Sequence, residues 1–509
     1  MKPDFRKSMI WLHTYSGLVI GWLLFSIFLT GTLSYFNPEI TQWMKPELVH
    51  VSSTQNMINR SLTQLHKKGV DADTWRIYLP DERTQHWSIQ WHKEGKRHNL
   101  SLGPEQGQIL SPRESAGGNF FRTFHYTLQL RGYGGLYIAG IAAMFMLVAV
   151  FSGIFTHRRF FRDFFTLRLK KLSKTLTEAH AIVGVVTIPF CIMICTSAIM
   201  IYVIMYMPFS AEHYAGGQRD LSRALSPGLV NLDKSASRHI PLLDFTVVGR
   251  QVQSQWPGQK QIRRITFEQP FSQDGRIIVE RVKDLTLSRQ SKRLIFSSHS
   301  GEPLAGYPNA SKATQVRRVF FGLHEAHFAD ISLRWLLFLL GLLSSALIAT
   351  GLIIWLNKRL EKVKQHHIGH FIVERLNIAA ISGLPLAIVT FFVGNRVLNT
   401  ALENRASIEV DVFLWAWLAC LFHSFLRPAK KAWVEQLLIT SLGCYLLPII
   451  DLYQDSQRLK NAIFDGNLTY LTFNLFVLFT GLIFMKTAFW LRAKNTLYKT
   501  VSLRVNKLC

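Results

Sequence analysis

The chain reads as a mainly α polytopic membrane protein: a helical bundle of about eight transmembrane helices with two small α+β external lobes. Three observations predict this. Of 509 residues, 49% are apolar and only 18% charged, which is too apolar for an ordinary soluble protein and too long for one domain. Eight apolar runs, near 9–36, 133–157, 179–207, 331–356, 376–398, 410–426, 433–451 and 468–491, suit a bilayer crossing of about 20 helical residues. The third observation is two long polar stretches, one after the first run and one after the third.

The formal charge of +26 would suit a nucleic-acid binder, but its placement argues against that partner. Arg6 and Lys7, then Arg158, Arg159, Arg162, Lys170 and Lys171, then Lys358, Arg359 and Lys362, then Arg427, Lys430 and Lys431, then Arg492 and Lys494 occupy every second loop. The positive-inside rule then places both termini in the cytoplasm. The basic start and first apolar run resemble a signal peptide, yet the run is longer than an h-region and no small-x-small site follows, so a retained first helix is expected.

Taken in order, residues 1–36 form helix 1, 37–124 an external lobe, 125–207 helices 2 and 3, 208–320 a second lobe, 321–358 helix 4 and 359–509 helices 5 to 8. In the first lobe a helical pattern over 61–69 precedes the alternating segments WRIYL, HWSIQW and HNLSLG. The second lobe repeats the order, with a helix over Leu243–Trp256 and then IRRITFE, GRIIVERV and RLIFSSHSGEP. Both lobes end in a strand and a Gly turn.

The membrane part is duplicated as well. His13 opens HTYSGLVIG and His180 opens HAIVGVVTI, the same His-x-x-x-Gly start. His125 precedes a span closing in Ser152-Gly153-Ile154, and His324 one closing in Thr350-Gly351-Leu352. A histidine in a membrane helix needs a partner, a cavity or a metal. Of five cysteines, Cys191, Cys195, Cys420 and Cys444 lie in spans and Cys509 in the tail, so no disulfide staples the lobes. Cys191 and Cys195 share a helix face at metal-capable spacing, but two small apolar residues in a packed helix is the favoured reading.

The stretches LHTYSGLVIGW, FHYTL, SGIFTHRRFFRDFFTLR, EAHAIVGVVTIPF, LHEAHFADISLRWLLFLLGL and ATGLIIWLNKR together resemble the PepSY-associated transmembrane proteins over roughly residues 1–400. ERLNIAAISGLPLAI is similar to extended members with extra C-terminal helices. The resemblance implies a bacterial inner-membrane protein with two PepSY-like lobes, similar to di-haem ferric-siderophore reductases. It also leads us to expect histidine where Cys191 stands.

Four helices in up-down order place the first opposite the third and the second opposite the fourth. His13 and His180, in the first turns of helices starting inside, then meet at the cytoplasmic level, and His125 and His324 at the external level. Each pair suits one haem b, two per chain, because bis-imidazole ligation favours electron transfer. His157 is an alternative to His180, and His327 competes with His324. Capping of helix ends or contact with lipid headgroups is the structural alternative for any one of them. His366, His367 and His370 read as a solvated basic loop. Arg122, Arg131 and Arg334 suit haem propionates or headgroups. Helices 5 to 8, with Glu374, Arg375, Arg396 and His423, read as scaffold or partner surface.

No phosphate-binding loop or dinucleotide fingerprint occurs, so electrons are expected from a quinol or a cytoplasmic reductase, and the expected acceptor is a ferric siderophore. The competing functions are a siderophore transporter, disfavoured because only Pro189 breaks a span deeply, and a membrane-anchored PepSY binding or inhibitory module, which leaves the paired histidines unexplained.

Overall fold

An apolar run in lipid has no water for its peptide groups and must pair them within a helix. The computed structural model describes residues 3–48, 56–104, 107–156, 172–207, short pieces within 209–221, 240–257, 262–282, 286–288, 292–304, 311–362, 367–464 and 467–493. His50, His157, His239, His366, Cys509 and the basic run 158–171 lie outside the described residues.

In chain order the elements begin with α1 (Pro3–Ser34), α2 (Asn37–Met44), α3 (Met57–Lys68), β1 (Thr74–Tyr78), β2 (Trp87–Lys93), β3 (Lys96–Leu102) and β4 (Ile109–Leu110). Then come α4 (Asn119–Thr127), α5 (Gly135–Thr156), α6 (Leu172–Tyr206), α7 (Phe245–Gln255), β5 (Ile262–Glu268), β6 (Arg276–Arg281), β7 (Arg293–Ser297) and α8 (Lys312–Glu325). The chain continues with α9 (Ile331–Lys362), α10 (Ile368–Ile381), α11 (Gly383–Val397), α12 (Arg405–Leu426), α13 (Ala429–Gln454), α14 (Ser456–Phe464) and α15 (Leu468–Ala493). Among the described residues eight spans, with α10 and α11 forming one of them, are long and apolar enough to cross a membrane. The chain is a multi-pass membrane protein.

Residues 1–44, 114–199 and 331–509 make a helical unit, and 45–113 with 200–330 make a second unit. In the helical unit α1 lies between α5 and α9 and also touches α4 and α10. α6 meets α9 where Cys191 faces Ser344 and where His180 faces Thr350.

The fifth span departs from a plain helix. Pro385 has no N–H, and its ring crowds the carbonyl four residues back, so the helix breaks at Ser382. Ser382 Oγ bonds the Ile378 carbonyl and Gln436 Oε1 there. Because α10 starts at Ile368, Glu374 and Arg375 lie buried within the span instead of at its entrance. The sixth and seventh spans are longer than expected, at Arg405–Leu426 and Ala429–Gln454, because their flanking charges are neutralised in buried pairs. Pro448 lies inside α13, so Pro189 is not alone in the interior of a span. His370 does not sit in a solvated loop: it is buried in the first turn of α10, and its imidazole accepts from the N–H of His367, which is the exposed N-cap residue of that helix.

In the second unit, alternation along each strand puts Trp75, Ile77, Trp87, Ile89, Phe267 and Val279 into one core with Leu65 of α3 and Val248 of α7. The strand order is β4-β3-β2-β1-β5-β6-β7, antiparallel throughout. The two lobes are therefore halves of one sheet. They join where β1 pairs with β5, Trp75 opposite Phe267 and Ile77 opposite Ile265. Alone, each half would leave a strand edge of unpaired peptide groups, and joining them satisfies both edges while continuing one core. The Gly turns recur in both halves: Gly107 and Gly301 hold φ of +75° and +73°, a region that favours glycine.

Candidate functional site

α1 and α6 begin well before their histidines. His13 stands ten residues after Pro3 and His180 eight after Leu172, more than two turns into each helix and not in the first turn as expected. The polar residues before each apolar run continue the helix beyond the lipid-compatible segment. The two imidazoles nonetheless meet, their ring centroids 6.3 Å apart and their planes at 70°.

Each ring is held from the neighbouring helix of its own repeat. His13 Nδ1 donates to the Ala149 carbonyl of α5 at 2.8 Å, which makes Nε2 the lone-pair nitrogen. His180 Nδ1 lies 3.1 Å from Thr350 Oγ1 of α9. That hydroxyl already donates to the Ala346 and Leu347 carbonyls, so it accepts from Nδ1, and again Nε2 keeps the lone pair. Fixing one ring nitrogen so that the other is directed outward is how ligand histidines are oriented. Glycines make room for both rings: a Cβ at Gly153 would stand 3.1 Å from His13 Cε1, and one at Gly351 3.1 Å from His180 Cε1.

Two collinear metal–imidazole bonds of about 2 Å, with roughly 1 Å more from each nitrogen to its ring centre, add up to roughly 6 Å. The observed spacing fits a bis-imidazole iron. An open apolar groove of about 380 Å³, lined by Met9, Leu12, Leu147, Phe151, Phe155 and Ile199, runs along α1 and α5 without either histidine in its lining.

His125 sits on its own short helix, α4, which ends in left-handed Leu128 and reaches α5 through a turn containing Gly132 and Gly134, both at positive φ. Its Nδ1 donates to the Ile27 carbonyl of α1 at 2.8 Å, and a Cβ at Gly31 would lie 2.5 Å from that nitrogen. Burial lowers the pKa of this imidazole from its ordinary value, against the opposing effect of the Ile27 bond, and so favours the neutral form a ligand needs. His324 occupies the last turn of α8, in the other unit. His327 Nε2 is engaged by Glu325 Oε2. Of the candidate propionate partners, Arg334 is buried and 3.9 Å from Glu39, and Arg131 bonds the Tyr126 hydroxyl. Cys191 and Cys195 are buried in α6, with Cys191 Sγ 3.4 Å from Ser344 Oγ.

The family model for the PepSY-associated TM region matches residues 10–358. The chain belongs to that family. No curated protein matches it closely enough to count as a relative. The match spans α1 to α9 and so includes both halves of the duplicated bundle and all seven named strands, while α10 to α15 lie beyond it.

Sequence reasoning named the four histidines, and named Gly153 and Gly351 as equivalent span ends without setting them against the His13 and His180 rings. The signal was available, since Ser152-Gly153 and Thr350-Gly351 close equivalent spans of the two repeats. It also passed over Arg405, Glu409 and Asp451, which are fully buried.

Proposed function

We propose that this PepSY-associated membrane protein is a haem b oxidoreductase of the bacterial inner membrane, passing electrons from a cytoplasmic-side donor to a ferric siderophore outside. The observation that carries the reading is the His13 and His180 pair, 6.3 Å apart with both Nδ1 atoms anchored. Iron held by two imidazoles supplies one-electron transfer with no open position for oxygen. The chain's part is to fix two ring orientations in an apolar setting, so that little rearrangement accompanies the change of charge. Ala149 and Thr350 do this at one level of the bundle, and Ile27 does it for His125, which with His324 is the proposed second pair.

A transporter would take support from the broken fifth span. That break is filled: a Cβ at Gly383 would stand 2.8 Å from Cys420 Cβ, and Gln436 bonds Ser382 across it.

The test is the haem content and redox spectrum of the purified chain. The expected load is two b-type haems, with His13→Ala or His180→Ala losing about one of them, since the pairs share no ligand. A chain purified without haem, or one whose His13→Ala variant keeps the full load, overturns the reading. In vesicles with reductant inside and ferric chelate outside, His324→Ala should abolish reoxidation by the chelate.

A further inference from the structure

α4 carries His125; its backbone lies closest to α1, and three of its aromatic side chains reach the C-terminal helices. Phe120 packs on Phe391 and Phe413, with ring centroids 4.7 and 4.8 Å apart. Phe121 meets Phe391 and Phe392, and Phe124 meets Phe413 and Trp417. Phe120, Phe121 and Phe124 are at most 2% exposed, so this face of α4 is fully seated on α11 and α12. The opposite face presents His125 to Ile27 and Gly31 of α1.

The residues leading into α4 are pinned by a buried polar cluster from the same two helices. Glu409 accepts from Ser115 Oγ at 2.8 Å, from the Ala116 N–H at 3.0 Å and from Asn395 Nδ2 at 2.6 Å. Arg405 pairs with Glu409 and donates to the Glu114 carbonyl at 2.7 Å. The Gly118 N–H, next to the first turn of α4, donates to Thr41 Oγ1 at 2.9 Å. Glu409, Arg405 and Asn395 are wholly buried. Three buried polar side chains converging on one five-residue lead-in are more than a generic scaffold needs. They fix where α4 starts, and the aromatic seat fixes its rotation.

We propose that α11 and α12 are a positioning device for His125, with Glu409 as its central residue, so that the C-terminal helices set the orientation of one imidazole ligand. This rests on the haem reading above for its spectroscopic consequence and on the packing alone for its mechanical one. A tilted α4 would swing the His125 ring against Gly31 and out of line with the Ile27 carbonyl, and the ligand-plane angle at the iron would change with it.

The experiment uses the full chain and two variants, Glu409→Gln and Ser115→Ala; the second removes the hydroxyl that donates to Glu409 and accepts from the Gly117 N–H and Asn395 Nδ2, and leaves the Arg405 pair with Glu409 intact. Electron paramagnetic resonance of the oxidised protein reads ligand orientation at each haem separately, and His13→Ala identifies the signal belonging to His125. Hydrogen exchange of residues 119–127 reads the seating of α4 with or without haem. The expected result is a shifted or broadened His125 signal, an unmoved His13 and His180 signal, and exchange in α4 faster by at least roughly fivefold, the weight of about one net hydrogen bond and a floor for the several that each variant disturbs. If Glu409→Gln does not fold, Ser115→Ala decides. Both signals unmoved and exchange unchanged in Ser115→Ala overturn the proposal while leaving two haems in place. A parent chain without haem fails the functional reading instead, and accelerated exchange in the variants would still support the seat.

Discussion

Gly31 shows how little space separates a held ligand from a displaced one. A methyl group there would approach His125 Nδ1 to 2.5 Å, inside any tolerable contact, whereas at Gly153 the nearest His13 atom would be at 3.1 Å. Gly31→Ala should therefore break the bond to Ile27 and lose the haem bound through His125, about half of a two-haem load, while Gly153→Ala should keep both haems and only shift the spectrum of one. Haem-to-protein ratios of the two purified variants check this, and equal loss from both would mean that the glycines do not act through the rings they face. The same local bonds place a proton on Nδ1 at His13 and at His125, because a carbonyl can only accept; in the neutral ring that leaves the lone pair on Nε2.

At the scale of elements, the sheet carries its own pH response. His86, just before β2, has a pKa lowered from the ordinary 6.5 by burial first and by Lys45 second, with Asp81 opposing. Below pH 6.5 the unfolded chain takes up a proton that the folded one resists, so stability falls with pH until the lowered folded value is reached, and above 6.5 the group contributes no slope. Denaturant unfolding followed at the sheet should show this loss on acidification, and His86→Gln should reduce it, the remainder coming from His66 and His92, which burial also holds below their ordinary value. These strands were legible in advance because alternation is strict: IRRITFE becomes β5 unchanged, and WRIYL and HWSIQW each become a strand within a few residues. The pairing of β1 with β5 was not legible, because alternation fixes which face a residue takes and says nothing about which edge meets which. The meeting of His13 and His180 was legible from the repeat and the helix order. The seat of α4 was not, since its Phe residues read as ordinary core and Glu409 and Arg405 fell just outside the apolar window that defined the sixth span.

At the scale of the whole molecule, alternate basic loops predict that both termini share the cytoplasmic side and that Gly107 and Gly275 lie outside. Reporter fusions at those glycines should be active only as exported reporters, and a cytoplasmic-type signal at either would invert the topology. The continuous sheet also bears on how the chain is made. Tyr78 and Ile262, at the two sides of the central pairing, are about 180 residues apart, and α5 and α6 must both enter the membrane between them. At roughly 5–20 residues per second a ribosome needs roughly ten to forty seconds to cover that interval. For that time the first half-sheet is already synthesised and its β1 edge has no partner from its own chain. A neighbouring nascent copy presents an identical edge, so newborn molecules crowded on one message are the setting in which a swapped dimer would form, and translation speed between residues 78 and 262 becomes a determinant of assembly.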